Sequence, residues 1–306
     1  MSVLFMFPGQ GAQQPGMLHA LPSGPEVLRT LRQTADILGS DPLLLDTAQA
    51  LQSTVAVQLC LLIAGVAMGR VLLSEGAIPA IVAGLSVGAY PAAVVAGALE
   101  YADALRLVRR RAQLMESAYP AGYGMAAITG LDRFRLESLI ADVHCQENPV
   151  YLANLNAPRQ LVISGSVAAL QAVMLQARQA GAVKAVRLAV NVPSHCDLFA
   201  DAALIMQSEF LTAELQRPRL RYLSASAARS LVDPQIISYD LSTNMARQVH
   251  WSETLRLAWE YGARLAVEMP GGTVLTGLAE SQWEDGLAVA CDTTRLDNVL
   301  ALIARG

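Results

Sequence analysis

The stretch AIVAGLSVGAY, residues 80–90, decides how the rest of the chain is read. Residues 78–84 form a short apolar run, and an apolar run on both faces suits a parallel strand covered by helices on each side. Gly84, Ser86 and Gly88 then make a GxSxG pattern that passes into a helix-like tail. Between a strand and a helix this pattern is a nucleophile elbow, a turn so tight that only small residues fit beside the serine. The serine hydroxyl projects above the sheet, and the following helix points its N-terminal amides at the same spot, ready for an oxyanion. Ser86 is the candidate nucleophile. An apolar Leu85 directly before it is unusual company for polar chemistry.

Composition supports a layered α/β protein around this element. The chain has 306 residues, 53% of them hydrophobic, 16% charged and only 5% aromatic. Alanine, valine and leucine dominate, which suits stacked helices and sheets better than an all-β sandwich. A net charge of −4 argues against a nucleic-acid partner. Residues 59–69, LCLLIAGVAMG, are too short to span a bilayer and read as a buried helix, so no membrane is expected. The start, MSVLFMFPGQG, has no basic segment and its apolar stretch stops at Pro8, unlike a signal peptide. Cys60, Cys145, Cys196 and Cys291 lie far apart with no CxxC pair, which predicts reduced thiols and a cytoplasmic protein. The adjacent pairs His144–Cys145 and His195–Cys196 do not suit one ion, so neither a metal nor a bound cofactor is expected.

Along the chain, residues 3–7 predict a strand broken by Pro8 and the glycines after it. Residues 25–38 and 53–73 have helical spacing, the second apolar on most sides and hence central. Residues 101–119 predict a polar-faced helix with an arginine cluster, ended by Pro120 and Gly122. From residue 124 the texture changes: 125–129, 133–143, 150–154, 160–164, 167–180 and 185–189 read β, α, β, β, α, β. That order is the split βαβ unit of ferredoxin-like domains. After Pro193 the α/β pattern resumes, with helices at 198–215 and 252–261, strands at 220–224, 265–268 and 287–291, and helices after the Gly271–Gly272 turn and at the end. The fold expected is therefore a large α/β-hydrolase-like domain with a parallel sheet, residues 1–123 and 191–306. A smaller ferredoxin-like domain, residues 124–190, is inserted into it.

A serine nucleophile needs a base. Four histidines are present: His19, His144, His195 and His250. His144 lies near a helix end beside Gln146 and Glu147 and reads as solvated. His19 follows the GQG loop and His250 precedes Trp251 at a helix start, both local settings. His195 follows the last strand of the inserted unit, where the chain re-enters the main domain. A loop position of that kind suits a cleft edge. His195 is the candidate base, with a structural histidine as the alternative.

Taken together, the motifs resemble the malonyl-CoA:acyl carrier protein transacylases. The residues that carry this are Phe7–Pro8–Gly9–Gln10–Gly11, Gly84–Leu85–Ser86–Val87–Gly88, and Arg111 with Met115. Asn154–Leu155–Asn156, Pro193–Ser194–His195–Cys196 and Pro270–Gly271–Gly272–Thr273–Val274–Leu275 complete the series. The resemblance covers essentially the whole chain. It implies that Ser86 is acylated by malonyl-CoA with His195 as base, and that the oxyanion sits between the backbone N–H groups of Gln10 and Val87. It implies that Arg111 grips the free malonyl carboxylate, for which a planar guanidinium offers two parallel bonds. Arg106, Arg109, Arg110 and Arg111 cannot all point one way on a helix that turns about 100° per residue. Arg109 and Arg110 are left to the surface or to carrier docking. By the same resemblance the carbonyl of Asn244 orients His195, and Asn154 and Asn156 line the CoA and acyl cleft, turn or strand-end asparagines being the alternative for both.

Leu85, Ala89 and Gln248 stand where the family usually has His, Glu and Pro. This variant, with GAQQPGMLHALP and AYPAGYGMAAI, looks more like the acyltransferase (epsilon) subunit of bacterial malonate decarboxylase. That resemblance implies transfer of malonyl to the thiol of a small acyl-carrier subunit bearing a phosphoribosyl-dephospho-CoA group. Other subunits of the decarboxylase would then be further partners. The second reading is the transacylase of fatty-acid or polyketide synthesis, acting on the phosphopantetheine-type thiol of an ordinary acyl carrier protein. A serine thioesterase or hydrolase needs an acid between Ser86 and His195 in chain order; Asp132 and Asp142 are available but fall in the small domain. A carrier-binding module without catalysis is the remaining reading.

Overall fold

A computed structural model describes residues 2–11, 13–119 and 121–305. Two sheets organise it. The larger has strands β1 (Ser2–Phe7), β2 (Ile81–Gly84), β7 (Arg221–Ser224), β8 (Arg229–Leu231), β9 (Ala263–Glu268) and β10 (Leu287–Ala290), in the order β10-β9-β1-β2-β7-β8. Every pairing is parallel except the last, the antiparallel β7–β8 ribbon. β1 is buried from Val3 onward and β2 throughout, as strands covered on both faces must be. β2 starts at Ile81, later than the apolar run suggests: Ile78 is 64% exposed, and residues 77–80 lie outside any helix or strand.

The covering helices include α1 (Pro25–Leu38), α2 (Thr54–Ser74), α3 (Ala89–Val95) and α4 (Tyr101–Ala118). α2 is longer than the apolar run that marks it. By length and composition it could cross a membrane, but 89% of its most apolar window is buried inside the fold. Its place is the core, against α1, α3 and α4. The Pro120 predicted to stop α4 lies outside the described residues.

The smaller sheet follows the predicted order of elements: β3 (Tyr123–Thr129), α5 (Arg133–Val143), β4 (Val150–Ala157), β5 (Gln160–Ser166), α6 (Val167–Gln179) and β6 (Lys184–Arg187). Its strand order β4-β5-β3-β6 is fully antiparallel, and both helices have side-chain N-caps, Asp132 and Ser166. Its apolar side chains form a core of their own around Ile128, Leu136, Ile163 and Leu170. The α/β class with a mostly parallel sheet and a small antiparallel one is thus as the sequence predicts.

Two differences matter for the site. The helix predicted to run to residue 215 is α7 (Ala200–Phe210), which ends where Leu211, 87% exposed, offers no apolar contact to prolong it. The β8 strand and the helix α8 (Pro234–Thr243) have no counterpart in the sequence reading. α8 nevertheless carries a start signal: Asp233 accepts from the N–H groups of Gln235 and Ile236, and Pro234 occupies the first turn. At the site β4 is stitched to the segment before the helix Trp251–Glu260 by main-chain bonds, Val249 N–H to Ala153 O at 2.9 Å and Leu155 N–H to Val249 O at 2.8 Å. His250 N–H ties that segment to Ala225 O, just after β7, at 2.7 Å. Beside them the Gln248 amide donates to Leu152 O at 2.8 Å.

Candidate active site

The elbow is built from absence of side chains. A Cβ on Gly84 would stand 2.0 Å from Gly88 O, and one on Gly88 would stand 2.1 Å from Phe7 O. Neither distance is sterically possible, so both positions require glycine. Between them Ser86 adopts φ 56°, a left-handed conformation that costs a non-glycine residue roughly 1–3 kcal/mol. A single turn of 3₁₀ helix, Ser86–Gly88, leads straight into α3. Phe7 O accepts from Leu85 N–H at 3.0 Å, which lays the loop after β1, with Gln10, against the elbow.

Ser86 Oγ lies 2.8 Å from Nε2 of His195. His195 is also left-handed, φ 68°, and its own N–H donates to Met245 O at 2.7 Å. Its Nδ1 faces two carbonyl oxygens, Asn244 O at 2.9 Å and Arg247 O at 3.1 Å. Two acceptors at Nδ1 place the proton there and leave Nε2 as the acceptor for the serine. Burial, and then the nearby positive charge of Arg111, push His195 down to about 4, so the ring is neutral at physiological pH. Asn244 does more than its carbonyl: its amide donates to Ser86 O and its Oδ1 accepts from Arg111, each at 3.2 Å.

Arg111 is completely buried, and burial lowers it to about 10, so it keeps its charge. Its Nη2 donates to Ser86 Oγ at 3.2 Å and its Nη1 to Gln58 Oε1 at 2.6 Å. Its other hydrogen bond goes to Asn244, so all of these acceptors are neutral, and its Nε has no acceptor. The neighbouring arginines point elsewhere: Arg106 pairs with Asp103 and Arg110 with Glu209. Gln58, in α2, links the two halves of the site. Its amide donates to Gln10 Oε1 at 2.9 Å and to Met115 Sδ at 3.4 Å. The sequence reading missed this residue, whose signal is a lone amide in a mostly apolar helix.

Ser86 and His195 open into a cavity of about 180 Å³ between the sheets. Gln10, Leu85, Asn154 and Asn156 line it, with Val162 from β5 and Leu188 just after β6. Asn154 and Asn156 lie on β4, 5% and 7% exposed, and the side-chain Oδ1 of each has no partner. Val87 is buried in the turn itself. The other histidines stay apart: His19 sits on Asp46, His144 contacts Val150 O and Tyr151, and His250 starts a helix near Glu253. His144 is exposed, in keeping with its predicted solvated setting. Among the described residues no cluster of three or more His, Cys, Asp or Glu is placed to hold a metal ion.

A tight elbow serine, a histidine oriented by main-chain carbonyls and a buried arginine at one point invite comparison with known proteins. The acyl transferase domain family model matches residues 4–292. The chain is similar to the malonyl CoA-acyl carrier protein transacylase of Haemophilus influenzae, 36% identical over 284 residues that make up 90% of each chain. The Bacillus subtilis transacylase is 31% identical over 283 residues, covering 91% of this chain and 89% of that one. The chain belongs to the malonyl-CoA:acyl carrier protein transacylase family.

Solved members of the transacylase family have the same architecture. The Coxiella burnetii transacylase superposes with a TM-score of 0.93 at 33% identity, covering 100% of this chain and 98% of that one. A malonyl-transacylase solved in complex with a type II PKS acyl-carrier protein gives 0.93 at 32% identity, with both chains covered completely. In this transacylase-family chain the hydrolase reading lacks its acid. The partners at His195 Nδ1 are carbonyls, while Asp132 is occupied as the cap of α5. Leu85 is a half-buried part of the cavity wall beside the serine.

Proposed function

We propose that this enzyme moves a malonyl group from malonyl-CoA to the thiol of an acyl carrier protein through an ester on Ser86. The observation that carries this reading is Arg111, a charged guanidinium buried against the nucleophile with neutral partners only. Such a group is costly unless an anion meets it, and a malonyl thioester brings a carboxylate on a short arm.

His195 Nε2 takes the Ser86 proton as Oγ attacks the thioester carbonyl. The oxyanion forms against the N–H groups of Gln10 and Val87, donors fixed in place before the charge appears. Collapse breaks the carbon–sulfur bond, and the departing CoA sulfur receives the proton held on His195. In the second half the carrier thiol gives its proton to Nε2, attacks the ester, and Ser86 recovers its proton on release. The unpaired Oδ1 atoms of Asn154 and Asn156 are acceptors suited to the amide N–H groups of a pantetheine arm. An apolar wall that includes Leu85 and Leu188 holds the ester away from activated water, favouring transfer over hydrolysis.

The acceptor separates two versions of this function. The similar proteins are named for acyl carrier protein, which supports the ordinary phosphopantetheine carrier and favours the second of the sequence readings over the first. The carrier subunit of malonate decarboxylase remains the rival acceptor on the strength of Leu85, Ala89 and Gln248 alone. A setting in the cytoplasm fits the four free cysteines. The test is intact-protein mass after mixing with malonyl-CoA: one added malonyl group supports the reading, and an unmodified protein overturns it. Malonylated protein offered to each carrier type then identifies the acceptor.

A further inference from the structure

The buried carboxylate of Asp240 has no part in the chemistry above. It lies on α8, 3% exposed, and accepts from the hydroxyls of Ser224, at 2.7 Å, and Ser226. Burial raises its pKa, and the two serine hydroxyls oppose that rise. An acid in such a place is expensive to keep, and what it joins explains its presence.

Ser224 ends β7 and pairs in register with Gly84, two residues before the nucleophile. Four residues after Asp240, α8 gives way to the 3₁₀ turn Asn244–Ala246. From this turn and the residue after it come Asn244 O, Met245 O and Arg247 O, the three carbonyls that hold His195 by its ring and its main chain. The same turn supplies the Asn244 side chain that touches Ser86 O and Arg111. Asp240 therefore connects the strand beside the nucleophile to the turn that holds the base. A cavity of about 10 Å³ is lined by both sides of this junction, Gly84 and Ser86 with Asp240, Asn244 and His195. The elbow helix α3 is itself joined to α8 by Tyr90 Oη–H to Leu241 O at 3.0 Å, adjacent in sequence to Asp240.

We infer that Asp240 is a positioning residue: by tying α8 to the end of β7 it sets the Ser86–His195 hydrogen bond. This rests on the dyad of the proposed function but not on its substrate. The test accordingly reads two quantities on the full chain: the rate at which a fluorophosphonate labels Ser86, and the kcat and KM of malonyl transfer. The residue's effect is indirect, through geometry, and small displacements of a base cost about 10–100-fold in rate. Asp240→Ala is expected to lower labelling and kcat about tenfold or more, with KM for malonyl-CoA within about twofold. Asp240→Asn keeps one acceptor oxygen for the serines and is expected to recover most of the loss. Should Asp240→Ala fail to fold, Ser224→Ala, which removes one of the two ties, is expected to show a smaller fall of the same kind. Labelling and kcat unchanged in the folded variants overturn the inference. So does a loss that Asp240→Asn does not recover, or one that appears in KM and thermal stability alone. If the unsubstituted protein labels with the fluorophosphonate but takes no malonyl group, the substrate reading fails while Asp240 is still tested.

Discussion

Arg111 Nη2 donates to Ser86 Oγ across 3.2 Å from a side chain with no exposed surface. In the proposed function the nucleophile and the anion receptor thus share the same few ångströms, the reach of an acyl group whose carboxylate stands one methylene from the thioester carbonyl. Arg111→Ala should lower malonyl transfer about 100-fold while changing acetyl transfer less than about threefold, the difference being one charge-assisted pair. Parallel losses for both acyl groups, measured as kcat/KM, would take Arg111 out of the carboxylate role.

Ser86→Ala removes the nucleophile that the proposed function requires. No malonyl mass should be added to that variant, although its melting temperature should match the unsubstituted protein, since the Ser86 side chain ties only to His195 and Arg111. A malonylated Ser86→Ala protein would place the ester elsewhere.

The pH dependence follows from His195, held near 4 by burial first and by Arg111 second. Neutral imidazole is the active form, so single-turnover acylation should be level from about pH 6 to 8 and fall as pH drops through about 4. Replacing Arg111 by Gln removes the second cause, and the acid limb should move up towards the ordinary 6.5. Stability has the same sign. Between 6.5 and 4 the unfolded chain binds a proton that the folded chain refuses, so unfolding should become easier as pH falls through that window. Urea midpoints at about pH 7.5 and about pH 5 would show it. A rate that titrates near 6.5 in the unsubstituted protein is the contrary result.

Glycine at the elbow is a stability requirement as well as a catalytic one. Gly84→Ala sets a methyl 2.0 Å from Gly88 O and should destabilise by about 4 kcal/mol or more. Gly277, in the helix Val274–Glu280, has nothing within 4 Å of an added Cβ. Gly277→Ala should therefore be neutral or stabilise by up to about 1 kcal/mol. Denaturant unfolding of the two variants side by side checks both signs.

The sequence made the elbow legible because its determinants are local: a strand, two glycines and a serine within a few residues. The small sheet was legible for the same reason, its βαββαβ order being written in short periodic segments. His195 was visible only as one histidine among four, and its orientation by Asn244 came from resemblance. α8 escaped notice although Asp233 and Pro234 mark its start, because its apolar residues give only a short periodic run. Gln58 and Asp240 escaped for a different reason. Each is a polar residue whose meaning depends on partners 53 and 16 positions away, and no local pattern reports a contact of that kind.

The main-chain bonds between Val249 and the Ala153–Leu155 segment have a mechanical consequence. They fix β4, which carries Asn154 and Asn156, to the segment just after Arg247, whose carbonyl faces His195. The cavity wall and the base therefore cannot drift apart here without breaking backbone hydrogen bonds. For the proposed function this means that donor and acceptor would meet the same dyad geometry in turn, with an ester on Ser86 spanning the interval between them.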